Sequence, residues 1–137
     1  MAGLCFFFED PDVDVWSGKD LDAWNYAAKL AGDIDKMVVI NKTDQVITSP
    51  DRALDFTVLK DLPDFDDAVY LTPPWHKSNS LWNFDHDVDW YVFGPAAGWA
   101  FESDNMICIP QHGMGAVHSV HAATTVMFHR YFVRGVH

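Results

Sequence analysis

Short apolar runs recur along the chain, each closed by proline, glycine or acidic residues, and they are the feature that most limits its fold. Apolar runs of this length, bounded by turn residues, are typical of buried strands. The sequence therefore predicts five strands: Gly3–Glu9, Lys36–Asn41, Ala68–Thr72, Asp89–Phe93 and Met106–Ile109.

Helical segments separate these runs. From Lys19 onward, apolar residues recur at helical spacing until Gly32 ends the pattern, and Ser17 is a suitable N-cap. A last helix is predicted for Val117–Arg134, and a short helix or turn for Arg52–Leu59. Strands that alternate with helices indicate an α/β fold with a mostly parallel sheet. For 137 residues we expect a single domain, residues 1–137, with five or six strands and helices on both faces.

The chain is strongly acidic. Its 20 carboxylates against nine lysines and arginines give a net charge of −11. No carboxylate follows Asp104, whereas five of the seven histidines do. A surface of this charge repels phosphate, which disfavours nucleic acid over most of the protein and leaves only a local basic patch near the end of the chain.

Neither membrane nor export signals are evident. No apolar run approaches the roughly 20 residues that a membrane span needs. The apolar N-terminal stretch lacks a basic leader, so we interpret it as a strand rather than a signal peptide. We expect no membrane partner, a cytoplasmic location, and buried free thiols at Cys5 and Cys108.

Three predicted strands end in turns rich in proline and glycine. The turns are Thr72-Pro73-Pro74, Gly94-Pro95 and the stretch from Pro110 to Gly115. In a parallel sheet, ligands bind outside the carboxyl ends of the strands. Glycine lets the backbone approach a ligand closely, and a helix that starts beyond a turn offers free N–H groups. Ordinary loops also need glycine and proline, so any one of these turns is weak evidence for a ligand site. The three turns together are stronger evidence.

The order of the turns resembles the SpoU/TrmH branch of the SPOUT methyltransferases. In that family a strand ends in a Gly-x-Glu turn, and the next ends in Ile-Pro, a glycine-containing loop and a helix that opens Ser-Leu-Asn. Here the first element reads Val-Phe-Gly-Pro-Ala-Ala-Gly (92–98) and the second Ile-Pro-Gln-His-Gly (109–113). The helix opening reads Ala-Val-His (116–118), and the similarity covers about residues 89–131.

The resemblance implies a C-terminal trefoil knot, a homodimer, and methylation of RNA, commonly at a ribose 2′-hydroxyl. It also implies that loops at the strand ends hold S-adenosylmethionine (SAM) largely through backbone groups. On this sequence those loops comprise nine cofactor-binding candidates: Leu71, Thr72, Pro73, Gly94, Ile109, Pro110, Gly113, Val117 and His118.

The family's polar groups are missing from the matching positions. The family has a catalytic arginine on its first helix, and here that position is Tyr26. The glutamate of the Gly-x-Glu turn falls on Ala96, and the serine and asparagine of the last helix fall on Ala116 and His118. The resemblance therefore implies a SAM pocket with degenerate catalytic residues, and the catalytic residues are unknown. Because of the net charge, a basic partner, a small-molecule substrate or a non-catalytic role fits better than RNA alone.

Histidines and carboxylates offer a third hypothesis, a metal-dependent enzyme. Histidines cluster near the end of the chain, and an acidic run with one more histidine precedes the fourth strand. Their spacing matches no standard metal signature, and surface histidines beside an acidic loop are the simpler interpretation. These residues are His112, His118, His121 and His129, and the run Asp85-His86-Asp87-Val88-Asp89.

Aromatic residues crowd the segment from Trp75 to Trp99, of which Trp75–Asp85 is expected to be a loop with a helical turn. Such residues fill a core or an interface more often than they stack on a nucleotide base. A non-enzymatic homodimer that keeps the fold and binds another protein is therefore the second hypothesis beside the SAM-binding one.

Overall fold

The computed structural model describes residues 2–9, 29, 34–47, 55–72, 79–94, 105–110 and 119–134. Within these residues, seven strands form one sheet. The strands are β1 Ala2–Phe8, β2 Ile34–Asn41, β3 Asp55–Leu59, β4 Ala68–Thr72, β5 Asn79–Ser80, β6 Trp90–Phe93 and β7 Met106–Cys108. A 3₁₀ turn covers Leu81–Asn83, and an α-helix, α1, covers Ser119–Arg134.

The strands lie in the order β3-β2-β1-β6-β4-β7-β5, and each pair of neighbours is parallel. Parallel neighbours need crossover connections, so the loops that follow the strands all leave from one edge of the sheet. The connection after β1 leads to β2 on one side, whereas the connection after β6 leads to β7 on the other side. The chain therefore changes direction between β1 and β6, which is where α/β sheets commonly bind ligands.

The central strand β1 is buried along its whole length of seven residues. Leu4 and Phe6 belong to the larger of two core clusters, which includes buried residues of α1 such as Ala122 and Met127. Cys5 belongs to a second cluster, because successive side chains of a strand point to opposite faces. A strand that packs against the core on both faces has a continuous apolar sequence, which is why β1 could be predicted from the sequence.

The predicted α/β class with a parallel sheet is confirmed, and the described residues contain seven strands in place of the predicted five or six. The helix or turn expected at Arg52–Leu59 is wrong from Asp55 onward, because Asp55–Leu59 forms the edge strand β3. A β-branched and aromatic composition favours a strand there, and pairing with β2 outweighs the Ser-Pro-Asp signal that precedes it. The added strand β5 has two polar residues and no apolar pattern that would reveal it.

Other predicted elements have mixed outcomes. The helical turn expected within Trp75–Asp85 is present at Leu81–Asn83, where the Ser80 hydroxyl accepts a hydrogen bond from the Trp82 backbone N–H. The last helix is confirmed from Ser119 to Arg134. The first predicted helix lies outside the described residues except for Lys29, which is helical. Helices on both faces and the single domain therefore stay predictions.

Both cysteines are free and buried, as expected. Burial raises the pKa of the Cys5 thiol to about 12, so this thiol stays protonated and unreactive in the folded protein. In the part of the chain that the structure describes, no helix is long and apolar enough to cross a membrane.

We expect Gly3→Ala to destabilise the protein, because a Cβ at this position would lie 2.5 Å from Cζ3 of Trp90. The indole cannot retreat easily, since the Phe65 ring stacks on it at 4.4 Å between centroids. Overpacking of this kind costs about 1–3 kcal/mol of unfolding free energy, which urea titration measures.

The matched control places the same substitution in a Trp90→Leu background, where the obstructing ring is gone. There Gly3→Ala should cost much less. An equal cost in both backgrounds would show that the indole is not what requires glycine at this position.

Candidate functional site

Three neighbouring strands end side by side at one edge of the sheet. Leu71 of β4 lies opposite Phe93 of β6, and Thr72 lies opposite Cys108 of β7. Gly94 directly follows β6, and Ile109 and Pro110 directly follow β7. Five of the nine cofactor-binding candidates are thus brought together at the carboxyl ends of adjacent strands, in the order β6, β4, β7.

These five residues offer a mixed surface. Leu71 and Ile109 are half-buried and pack against the larger core cluster. Gly94 is also half-buried, and Pro110 is exposed. Apolar side chains next to backbone groups are the usual lining of a small-molecule site, with the apolar part binding a flat ring and the backbone fixing its orientation.

Thr72 joins two of the strand ends. Its side chain is only 4% exposed, and its hydroxyl donates a hydrogen bond to the Ile107 carbonyl at 3.3 Å. Because Ile107 belongs to β7, this bond fixes the end of β4 relative to β7. Thr72 therefore has a structural role in addition to its position in the candidate site.

The end of β2 carries an ordered turn that sequence analysis did not single out. The Asn41 carboxamide oxygen accepts hydrogen bonds from the Thr43 backbone N–H at 2.9 Å and from the Thr43 hydroxyl at 2.7 Å. Its amide group donates to the Gln45 carbonyl at 2.8 Å. Asparagine followed by Lys-Thr-Asp after a strand is typical of such an Asx turn, so the signal was present in the sequence.

A second group of side chains forms a connected series around the buried residues His86 and Arg130. We call this series the histidine network, and it consists of Arg130, Tyr91, His86, His129 and Trp82. His86 is 1% exposed, and its two ring nitrogens lie 2.8 Å from the Tyr91 hydroxyl and 2.7 Å from Nδ1 of His129. Arg130, also 1% exposed, donates a hydrogen bond to the Tyr91 hydroxyl oxygen at 2.8 Å. The Trp82 ring contacts the His129 ring edge-on at 5.5 Å between centroids.

The network shares no residue with the candidate cofactor site. His86 belongs to the connection that enters β6 at its amino end, and its φ of 61° marks a tight turn there. His129 and Arg130 are in the last turns of α1, which starts after the carboxyl end of β7. Trp82 follows the end of β5, where Ser80 pairs with Cys108 of β7, so the network extends from the loop before β6 to the carboxyl edge of the sheet.

The surroundings of both imidazole rings disfavour the protonated, positively charged form. Burial lowers the pKa of His86 to about 3, with further lowering by the neighbouring His129 and Arg130. Burial also lowers the pKa of His129, although a hydrogen bond to the backbone of Trp82 acts in the opposite direction. Both rings are therefore neutral at physiological pH.

The metal hypothesis gains no support from the residues that the structure describes. Among them, no group of three or more histidine, cysteine, aspartate or glutamate side chains is arranged to hold a metal ion. His86 and His129 pair with each other instead, and His121 is exposed. His112 and His118 lie outside the described residues.

Several further sequence-based assignments also fall outside the described residues. They are the candidates Pro73, Gly113, Val117 and His118, the positions of the missing catalytic groups Tyr26, Ala96 and Ala116, and the aromatic residues Trp75 and Trp99. The nine cofactor-binding candidates therefore remain a prediction, with five of them placed at one edge of the sheet.

The chain has the fold of the SpoU/TrmH methyltransferases. A TrmH/SpoU tRNA-modifying enzyme from A. aeolicus matches with a TM-score of 0.67 and 12% identity, over 96% of this chain and 75% of that one. A structure described as showing 2-OH methylation of C/U34 on tRNA matches with a TM-score of 0.64 and 17% identity, over 97% and 95% of the two chains. Identities this low establish the fold and not the activity.

A third similar structure contains a ligand. It is the SpoU methyltransferase AviRb from Streptomyces viridochromogenes in complex with the cofactor AdoMet, with a TM-score of 0.63 and 14% identity. The match covers 96% of this chain but 60% of AviRb. No protein-family model matches the sequence, and a search of curated proteins found no match.

We expect Thr72→Val to weaken the strand ends, because the substitution keeps the shape of the side chain and removes the hydroxyl that donates to the Ile107 carbonyl. The loss should be about 1–2 kcal/mol of unfolding free energy in urea titration. Thr57→Val is the matched control, since this substitution makes the same chemical change at an exposed position of β3. There the effect should stay within about 0.5 kcal/mol. Equal effects at both positions would argue against a structural role for the Thr72 hydroxyl.

Proposed function

We propose that the chain binds SAM at the carboxyl ends of β4, β6 and β7. The observation that supports this most directly is the meeting of Leu71, Thr72, Gly94, Ile109 and Pro110 at three adjacent strand ends. These strands lie next to the point where the chain changes direction between β1 and β6. The AdoMet complex of AviRb, which has the same fold, adds support.

The residues present suit such a ligand. SAM combines an apolar, flat adenine ring with a polar amino-acid group, and it supplies an activated methyl group. Leu71 and Ile109 would contact the adenine, while the backbone at Gly94 and Pro110 would hold polar groups of the cofactor. A neutral binding surface of this kind needs no charged side chain, which is consistent with the absence of the family's polar residues at the matching positions.

We further propose that the methyl acceptor is an RNA ribose 2′-hydroxyl, and that RNA is presented by a basic partner. One similar structure concerns 2-OH methylation on tRNA and another is a tRNA-modifying enzyme, which supports an acceptor of this kind. The chain alone, with a net charge of −11, would repel RNA phosphates, and a homodimer would double that charge. A cationic partner would supply the phosphate contacts that this chain lacks.

The SAM proposal predicts micromolar binding of SAM and S-adenosylhomocysteine in calorimetry. Gly94→Val adds a branched side chain where the backbone should approach the ligand, so it should weaken binding at least tenfold. Asp66→Ala changes an exposed residue before β4, at the other edge of the sheet, and should leave the affinity unchanged. Circular dichroism would confirm that both variants are folded.

Each outcome has a defined meaning. No heat at millimolar SAM in the folded wild type would rule out the cofactor and, with it, methyl transfer. Binding without transfer of labelled methyl groups to RNA, even with added basic proteins, would leave a SAM-binding protein without the proposed catalytic activity.

A second candidate function, a homodimeric interaction protein, is favoured by an exposed apolar group near the end of α1. Phe132 is 76% exposed, Val133 44% and Trp82 53%. Trp82 contacts His129, which lies one turn before Phe132 and Val133, so the three form one patch. Exposed aromatic residues of this kind are common at interfaces.

The dimer proposal predicts that Phe132→Asp converts a dimer into a monomer, because the substitution buries a charge in the interface. Light scattering after size exclusion measures the mass. Phe132→Leu keeps an apolar side chain and should remain dimeric. A wild-type monomer, or a dimer that Phe132→Asp leaves intact, would remove this patch as the interface.

A further inference from the structure

The histidine network joins four separate parts of the fold. Tyr91 belongs to β6, His86 to the loop before it, Trp82 to the 3₁₀ turn, and His129 and Arg130 to α1. His86 and His129 are 43 residues apart in sequence, yet their ring nitrogens are 2.7 Å apart. Neither the strand-end turns nor the proposed cofactor site uses any of these residues.

The hydrogen bonds of the network run in one direction. We assign the proton of the neutral His129 ring to Nε2, because Nδ1 faces His86 and the hydrogen bond with the Trp82 backbone favours the protonated form of the ring. In a neutral imidazole with a protonated Nε2, Nδ1 is an acceptor. His86 must therefore donate from Nε2 to His129, and its own Nδ1 must accept from another group.

The remaining bonds follow from this assignment. The Tyr91 hydroxyl donates to Nδ1 of His86, and its oxygen accepts from Arg130. Each side chain in the series thus donates to the next, from Arg130 through Tyr91, His86 and His129 to the Trp82 backbone. The series is complete only while both imidazoles are neutral and in these tautomers.

We propose that the histidine network is an acid-sensitive connection that holds the last turns of α1 against β6 and the loop before it, and that uptake of a proton by the imidazole pair opens it. The proton comes from solvent and binds Nδ1 of His86 or Nδ1 of His129. A protonated Nδ1 of His129 would face the N–H of His86, and a protonated Nδ1 of His86 would have to donate to the Tyr91 oxygen, which already accepts from Arg130. No covalent bond forms or breaks.

The charges around the pair oppose the protonated state. From α1, Arg130 and Arg134 act against a positive charge on His86, as does His129 itself. From the loop, Asp85 acts in favour of it but less strongly. From β6, the facing titratable group is Tyr91. A cation at the pair is therefore both buried and next to arginine, and opening the contact to water relieves both costs.

The pH range follows from the direction of the pKa shifts. The pKa of His86 falls from its ordinary value of 6.5 to about 3 in the folded protein, and that of His129 is also lowered. The opened state therefore binds more protons than the closed one between these values. The network stabilises the fold fully above about pH 6.5 and progressively less as the pH falls.

Hydrogen–deuterium exchange of the full chain tests this proposal. Protection of the α1 amides, corrected for the pH dependence of chemical exchange, should fall between pH ~7 and ~5, by up to roughly tenfold per pH unit for each proton taken up. Amides of β1 and β2 should keep their protection over this range. Nitrogen NMR at neutral pH should show both imidazoles neutral, with the proton on Nε2 of His86.

Variants separate acid sensitivity from a merely structural role. The double variant His86→Gln/His129→Gln should lose the pH dependence of α1 protection, whatever its protection at neutral pH. His121→Gln, an exposed change on the same helix, should retain the wild-type pH dependence.

Two results would overturn the proposal. One is α1 protection in the wild type that does not change with pH relative to β1. The other is a His86 tautomer opposite to the one assigned here, which the NMR experiment reads without any variant. SAM binding is not required for either measurement, so the outcome is independent of the proposed function.

Discussion

Parallel pairing of β1 with β2 on one side and β6 on the other is the interaction on which the rest of the structure depends. β1 is buried along its whole length, so it can occupy only the middle of a sheet that is covered on both faces. Its neighbours must then run in the same direction, and every strand end that precedes a crossover falls on one edge. That single arrangement brings three turns, far apart in sequence, into one place.

The sequence predicted the strands that an apolar composition marks. It missed the strands that form only because they pair with a neighbouring strand. The five apolar runs were recognisable because their strands pack in the core. Asp55–Leu59 was misassigned because an edge strand is half exposed and its local pattern is ambiguous, so that pairing with β2 decides its structure. The two residues of β5 contain no apolar signal at all, and only their pairing with β7 makes them a strand.

The same distinction holds for the candidate sites. Gly94 and Pro110 could be placed at strand ends from the sequence, because glycine and proline determine where strands stop. The pairing of His86 with His129 could not, because it depends on how α1 packs across the sheet. The sequence showed only that histidines were frequent, and it suggested a metal. A buried pair of neutral imidazoles is a different use of the same side chains, and it becomes evident only from their mutual distance.

The helix α1 connects the two regions. Its 16 residues extend from Ser119 to Arg134, and His129 and Arg130 lie in its last two turns. Coupling between a ligand at the strand ends and a proton at the imidazoles would require an element, such as α1, whose position both of them bias. Such coupling is reciprocal, so a ligand that fixes the start of α1 would also make the network harder to protonate.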